Sequence, residues 1–146
     1  MQIEIKIDDS CKDPKIIVVT NEMTDEINLL LKKLSEDTPQ IIAGFSSNAV
    51  TILEQEEIIR VYAEDGKVIA ITTKGEYNVR LRLYELEERL DKSRFVRISN
   101  SEIINLRKVK GFDLSFSGTI CVKLSNGAST YVSRRYVAKI KQVLGI

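Results

Sequence analysis

The chain of 146 residues contains no histidine and no tryptophan, and only two cysteines, two prolines and seven glycines. Without imidazole it lacks the usual general base and the commonest transition-metal ligand. Two cysteines without histidine cannot form a structural zinc site or a disulfide framework, so reduced thiols are expected at Cys11 and Cys121. The glycines form neither a GxGxxG motif nor a P-loop. We therefore expect no enzyme activity, cofactor, metal site or small-molecule substrate.

Long apolar runs are also missing from the chain. No stretch approaches the roughly 20 residues that cross a bilayer, and the polar first ten residues are unlike a signal peptide. Hydrophobic residues make up 43% and charged residues 29% of the chain, proportions that are typical of a globular protein with a real core. These features predict a cytoplasmic globular protein.

Charge is distributed unevenly, although the net charge is only +1. Residues 93–146 contain ten basic residues against two acidic ones, a local charge of +8, whereas residues 1–46 and 47–92 carry −4 and −3. The basic residues are interleaved with β-forming ones and end in the sequence Val-Ser-Arg-Arg-Tyr at 132–136. A cationic surface of this kind favours a polyanionic partner.

The first 46 residues have the pattern of an acidic β-β-α segment. Residues 1–6 and 16–20 predict two strands, and apolar residues at helical spacing predict a helix over about 22–36. Asn21 or Thr24 is the candidate helix cap. This segment is the candidate for dimerisation or regulation.

Residues 47–146 are rich in short strands and form the candidate functional domain. Strands are predicted at 50–53, 58–62, 68–72, 76–79, 95–98, 109–116, 119–124 and 129–132, helices at 81–90 and 135–144, and a brief turn at 99–106. Periodicity places Ile103, Ile104, Tyr136 and Ile140 in the core. The predicted fold class is mostly β with short helices, α+β overall, built from antiparallel sheets.

Four motifs, in order along residues 57–144, carry a family resemblance. They are a hairpin over 58–72, Gly-Glu-Tyr at 75–77 with the helix LYELEERL at 83–90, the central FVRISNSEIINL at 95–106, and SNG at 125–127 leading to VSRRY at 132–136. In this order and spacing they resemble the LytTR DNA-binding domain of bacterial transcription regulators. Where the family usually has His-Arg or His-Asn, this chain has Ser99-Asn100, so no imidazole contact is implied at Ser99.

The resemblance implies a LytTR-like fold of antiparallel sheets with short helices, whose loops reach into DNA grooves. In family terms, bases are read by Asn100 and by Arg135, the second arginine of the closing motif. Their chemistry agrees, because Asn can bond adenine and Arg can bond guanine in the major groove. Lys67 lies in the loop where the family makes a third contact. The alternatives are a turn or cap role for Asn100, a solvated cation at Arg135, and an ordinary hairpin loop at Lys67.

The resemblance also implies phosphate contacts, which set register rather than sequence. These are assigned to Arg97, Ser99, Ser101, Tyr131, Ser133, Arg134 and Lys139. Ser133 is in addition a candidate cap of the last helix, whose N-terminus attracts phosphate. The implied partner is double-stranded DNA, bound by a homodimer on repeated sites. Since 46 residues are too few for a receiver domain, family members of this layout suggest control by a partner protein, such as a membrane inhibitor.

A second class of function stays open from the residues alone. The apolar strands of residues 1–20, or the surface of residues 1–92 with their net charge of −7, could dock another protein. The chain would then be a protein-interaction module in which DNA binding is secondary or absent. Both functions can coexist, with residues 1–46 dimerising and 47–146 reading DNA.

Overall fold

The structure is a computed structural model that describes residues 1–35, 41–115 and 117–146. The chain divides into two compact units, Met1–Pro39 and Gln40–Ile146. Residues 41–46, which the sequence placed with the N-terminal segment, contribute strand Ile42–Ser46 to the sheet of the second unit. The reason is burial, because Ile42 is 1% exposed within the core of that unit.

The described residues of the first unit, 1–35, contain one helix, α1 (Asp25–Ser35). Thr24, one of the two candidate caps, precedes it and accepts a hydrogen bond from the Ile27 amide at 3.3 Å. The β-β-α prediction was wrong in its strands, because no residue of 1–20 lies in a strand in this described part of the chain. A strand is completed by hydrogen bonds to a neighbouring strand, and a single copy supplies no such neighbour to these residues.

Seven antiparallel strands form the larger sheet of the second unit. They are β1 (Ile42–Ser46), β2 (Ala49–Leu53), β3 (Ile58–Glu64), β4 (Lys67–Thr72), β5 (Gly75–Val79), β6 (Phe95–Ser99) and β7 (Glu102–Asn105), in the order β2-β1-β5-β4-β3-β7-β6. Helix α2 (Leu83–Arg89) packs Leu83 and Leu86 onto one face, among buried residues that include Ile58 and Val61. This face forms the first of two cores.

The smaller sheet consists of β8 (Val109–Asp113), β9 (Ile120–Leu124) and β10 (Ser129–Val132), in the order β10-β9-β8. It and helix α3 (Arg134–Leu144) cover the opposite face of the larger sheet. In this second core Ile98 and Ile104 of the larger sheet meet Val122, Val132 and Ile140. The larger sheet is therefore buried on both faces where β6 and β7 run.

Strand β7 replaces the brief turn that the sequence predicted. All four of its residues are buried, with Ile103 in the first core and Ile104 in the second. Because both faces are covered, the strand has no alternation of apolar and exposed polar residues, and periodicity did not reveal it. The core predictions for Ile103, Ile104 and Ile140 are confirmed, while Tyr136 is half-buried.

The predicted fold class is confirmed for the second unit, which is mostly antiparallel β with short helices. Most predicted elements of this unit differ by one or two residues at an end, as α3 does by beginning at Arg134. The largest difference is at β8, which stops at Asp113 and not at the predicted 116. None of the helices in the described ranges is long and apolar enough to cross a membrane.

Candidate nucleic-acid interface

Two hairpin turns lie side by side at one end of the larger sheet, which we call the turn end. Asp65 and Gly66 connect β3 to β4 with φ angles of +50° and +75°, the left-handed pair that a two-residue hairpin requires. The β6–β7 turn is adjacent, because the Ala63 amide donates to the Ser101 carbonyl at 2.8 Å. Lys67, the first residue of β4, is exposed beside them. The fold thus brings Lys67, the predicted third base contact, next to the central motif at 95–106.

The start of α3 joins the turn end through two hydrogen bonds. The amide of Ser133 donates to the carbonyl of Ile98 at 2.9 Å, and the Tyr136 hydroxyl donates to Oδ1 of Asn100 at 3.1 Å. Asn100 itself is exposed. Its side chain is therefore held in one orientation, yet its amide nitrogen can donate and its carbonyl oxygen can accept a second hydrogen bond.

Arg134 and Arg135 occupy the first turn of α3, and both are exposed. A Cβ atom added at Gly118 would lie 3.8 Å from Nε of Arg134, so the β8–β9 loop borders this arginine. The N-terminus of an eleven-residue helix is also a site of partial positive charge. Ser133 takes the predicted N-cap position, but in the described structure its hydroxyl makes no capping hydrogen bond. Lys139, one turn further along, is exposed.

Arg97 lies beneath the β6–β7 turn and not on its surface. Its side chain is 16% exposed and its Nη1 is 2.8 Å from Oε2 of Glu87. Nη2 donates to the carbonyl of Asn100 at 2.6 Å, and Nε donates to the carbonyl of Ser99 at 3.0 Å. The guanidinium thus binds the backbone of the turn that presents Asn100. This geometry favours a positioning role over the phosphate contact that the resemblance implied.

The serines of the turn also bond to each other. The hydroxyl oxygens of Ser99 and Ser101 are 3.3 Å apart, and the Ser101 amide donates to Oγ of Ser99 at 3.2 Å. Ser101 is exposed and Ser99 half-buried. Tyr131 lies on β10 and is 54% exposed, on the face of the smaller sheet opposite that of buried Val132. Of these three, Ser101 and Tyr131 are the more accessible to a large ligand.

The basic residues of 93–146 do not form one continuous rim. Arg94, Arg107 and Lys108 lie at the opposite end of β6 and β7 from Asn100, which we call the far end. There, the guanidinium of Arg94 approaches Glu56 at 3.5 Å and Asp91 at 3.6 Å. The expectation of a single cationic surface is corrected accordingly, because the hairpin separates cations that are close in sequence.

Two arginines at the turn end were missed by sequence reasoning. Arg80 and Arg82, between β5 and α2, line an open groove of about 700 Å³ together with Gly66 and Lys67. Both arginines are exposed, and Arg80 stacks its guanidinium 4.0 Å above the ring centre of Phe45. Their signal was the Arg-Leu-Arg sequence at 80–82. It was obscured because residues 47–92 carry a net negative charge.

A buried carboxylate lies directly behind the β6–β7 turn. Glu102 is 6% exposed, its Oε2 is 2.8 Å from Nε of Arg60, and its Oε1 accepts from the Thr130 hydroxyl at 2.7 Å. Burial raises the pKa of Glu102, and the Thr130 hydrogen bond and the Arg60 charge oppose that shift. Because Thr130 belongs to β10, these contacts tie the smaller sheet to the larger one behind Asn100.

Comparison with known proteins bears on this arrangement. Residues 48–145 match the LytTr DNA-binding domain family. Two uncharacterized HTH-type transcriptional regulators from Staphylococcus aureus, strains NCTC 8325 and MRSA252, are each 29% identical over 147 residues, covering 100% of this chain and 99% of the relative. A solved LytTr DNA-binding domain from Bacillus cereus has a TM-score of 0.70 at 20% identity, covering 73% of this chain and 98% of its own.

The structural likeness supports the fold, and the family match supplies the assignment. The matched residues make up about two thirds of the chain and include both hairpin turns and the start of α3. Families of this kind are defined by DNA binding and not by a reaction. The chain therefore belongs to the LytTr DNA-binding domain family.

Proposed function

We propose that this protein is a sequence-specific transcription regulator that places its turn end in the major groove of double-stranded DNA. The observation that carries the proposal is the joining of exposed Asn100 to the helix that bears exposed Arg135, through the Tyr136 hydrogen bond. Asn100 would pair with adenine and Arg135 with guanine. Lys67, on the neighbouring turn, would supply a third base contact.

Phosphate contacts would surround these base contacts. Ser99, Ser101, Tyr131, Ser133, Arg134 and Lys139 are the proposed phosphate ligands. The N-terminus of α3 adds backbone amides that suit an anion. The groove with Arg80 and Arg82 extends the same surface past Lys67. Arg97 would act indirectly, by holding the turn in its binding conformation.

We further propose that two copies act together on a repeated site in the cytoplasm, where chromosomal DNA is found. Control through a partner protein, such as a membrane inhibitor, fits a chain in which the DNA-binding unit is preceded by a second compact unit. These points extend the family assignment and need their own measurements.

The first experiment is footprinting with genomic fragments, including the DNA upstream of the protein's own gene. A protected site at moderate salt, with affinity that falls steeply as salt rises, is the expected result. If Arg134, Lys139, Arg80 and Arg82 each neutralise one phosphate, the slope of log K against log salt should be about −4 per monomer. Absence of any protected site, or a slope near zero, contradicts the proposal.

A second candidate function is supported by a separate observation. Large apolar side chains of the first unit are exposed, including Ile3 at 91% and Val19 at 92%. Such residues suit a protein partner, so the chain could act as a protein-interaction module. A complex made through them should tolerate high salt, in contrast to a DNA complex.

A further inference from the structure

The described residues of the first unit include many apolar ones but form no buried core. None of residues 1–34, whose exposure the structure describes, is buried. Ile3, Ile5 and Ile7 alternate along the chain and are 91%, 85% and 89% exposed. Ile16 and Ile17 are 72% and 70% exposed. These are the side chains that proteins most often bury, so the unit lacks the surface that should cover them.

The apolar side chains of helix α1 are also left uncovered. Leu29, Leu31 and Leu34 are 62%, 40% and 39% exposed. Fewer than about 40 residues rarely fold alone, and they usually need a metal, disulfides or oligomerisation. Among the described residues there is no cluster of potential metal ligands, and Cys11 is a free thiol. Of these three means, oligomerisation is the one that remains.

The sequence around Ile5 is complementary to itself. If residues 2–8 pair antiparallel with the same residues of a second copy, centred on Ile5, then Ile3 lies opposite Ile7 and Glu4 lies opposite Lys6. Opposed residues share a face, so all isoleucines fall on one side and both opposite-charge pairs on the other. A parallel pairing in register would instead place Glu4 against Glu4 and Lys6 against Lys6.

A preformed turn limits this segment to its first eight residues. The Cys11 amide donates to the carbonyl of Asp8 at 3.1 Å. Oδ1 of Asp8 accepts from the amide and the hydroxyl of Ser10, at 2.9 and 2.6 Å. These hydrogen bonds also lower the pKa of Asp8, so the carboxylate that makes them is charged at neutral pH. The segment before this turn therefore ends where the self-complementary pattern ends.

We propose that residues 2–8 form an antiparallel β-ribbon with residues 2–8 of a second copy, and that this ribbon is the homodimer contact of the protein. The apolar residues of 16–19 and α1 from both copies would close over its isoleucine face. The inference deepens the paired binding proposed above, but its readout is molecular mass in the absence of DNA.

The test uses the full chain and light scattering over a range of concentrations. The wild-type protein should be a dimer and Ile5→Asp a monomer, with at least a hundredfold rise in the dimer dissociation constant. Ile52→Asp is the matched control, because Ile52 is 63% exposed on β2 of the other unit, and it should leave the mass unchanged. A monomeric wild-type protein, or an Ile5→Asp variant that still dimerises, would overturn the inference.

A charge exchange tests the register itself. Glu4→Lys and Lys6→Glu should each weaken homodimers about tenfold, because every charge pair of the ribbon becomes repulsive. A mixture of the two variants should form heterodimers of wild-type strength, since each lysine then meets a glutamate. Equal weakening in the mixture would exclude the antiparallel register. If these dimerisation results hold and footprinting finds no site, the DNA-binding proposal fails while the ribbon stands.

Discussion

The turn end and the far end of the larger sheet both carry cations, but they present them to solvent differently. At the far end, Arg94 approaches Asp91 and Glu56. Hydrogen bonds from Ser93, together with the charges of Arg94 and Arg107, hold the pKa of Asp91 below its ordinary value. The cations there are partly neutralised by nearby acids.

At the turn end, Glu64 and Asp65 of the β3–β4 hairpin are exposed, but the acids beneath and behind the β6–β7 turn are paired internally. Glu87 binds Arg97 beneath the β6–β7 turn, and buried Glu102 binds Arg60 behind it. Arg135 and Lys67 remain exposed above these pairs. The local net charge of a sequence therefore indicates the class of partner. The folded positions of the acids decide which basic residues can contact that partner.

Replacing one arginine by alanine at each end should give the largest difference in specific DNA affinity. Arg135→Ala should weaken specific DNA binding by about 1–3 kcal/mol, because a bidentate contact to guanine is lost. Arg107→Ala is the matched control, as it removes the same charge from an exposed position at the far end. The measurement is a gel-shift titration on the footprinted site. Equal losses for both variants would remove the distinction between the ends.

Arg97→Ala sharpens the comparison by separating positioning from phosphate binding. The variant should lose about 1.5 kcal/mol of specific affinity, the low end for hydrogen bonds to a charged group, because the turn backbone is no longer held. Its salt slope should equal that of the wild type, whereas loss of a phosphate contact reduces the slope by about one. Arg94→Ala, at the far end, is the control. A flattened slope for Arg97→Ala would restore the phosphate role.

Tyr136→Phe should have a smaller effect, of about 1 kcal/mol, since it removes one neutral hydrogen bond to Asn100. The loss should appear as weaker discrimination at the base position that Asn100→Ala identifies. In a double-mutant cycle, Tyr136→Phe should cost little once Asn100 is alanine. Additive losses, or a loss spread evenly over all base positions, would show that the tyrosine acts only in packing.

The smallest expected effect concerns Glu102 and pH. Because its folded pKa is raised above the ordinary 4.5, the folded protein holds this proton more tightly than the unfolded chain does. The stability from Glu102 is therefore present below pH 4.5 and is lost as the pH rises through the raised value. In urea unfolding, the free energy of unfolding of the wild type should rise relative to that of Glu102→Gln as the pH falls towards 4.5.

Exposed Glu76 supplies the control for that measurement, because Glu76→Gln changes a carboxylate on β5 that is not buried. Its stability difference from wild type should not follow the same pH course. A pH-independent difference for Glu102→Gln would mean that the carboxylate titrates alike in the folded and unfolded states.

Much of the second unit could be predicted from local pattern. Period-2 alternation and loop residues located β2 to β5, and helical spacing located α2 and α3 within one or two residues of their ends. Strand β7 could not be found this way, because Ile103 and Ile104 are buried on opposite faces by elements distant in sequence. The prediction of strands at 1–20 was wrong for a related reason, because a strand needs a neighbouring strand to pair with.

The candidate site, too, could be predicted from the sequence only in part. The residue types at Asn100 and Arg135, and the excess of basic residues after Ser93, were legible in the chain. The partner of Arg97 was not, since Glu87 lies on a helix that only folding brings near.

What the sequence by itself determined is the family, the fold class and the chemistry available for contact with DNA, because order, spacing and residue type are properties of the chain. The tertiary structure alone decided which cations share a surface, that Arg97 lies beneath the turn, and that Tyr136 reaches Asn100 across 36 residues. Those relations depend on strand pairing and helix docking, which bring distant residues together and which no local pattern encodes.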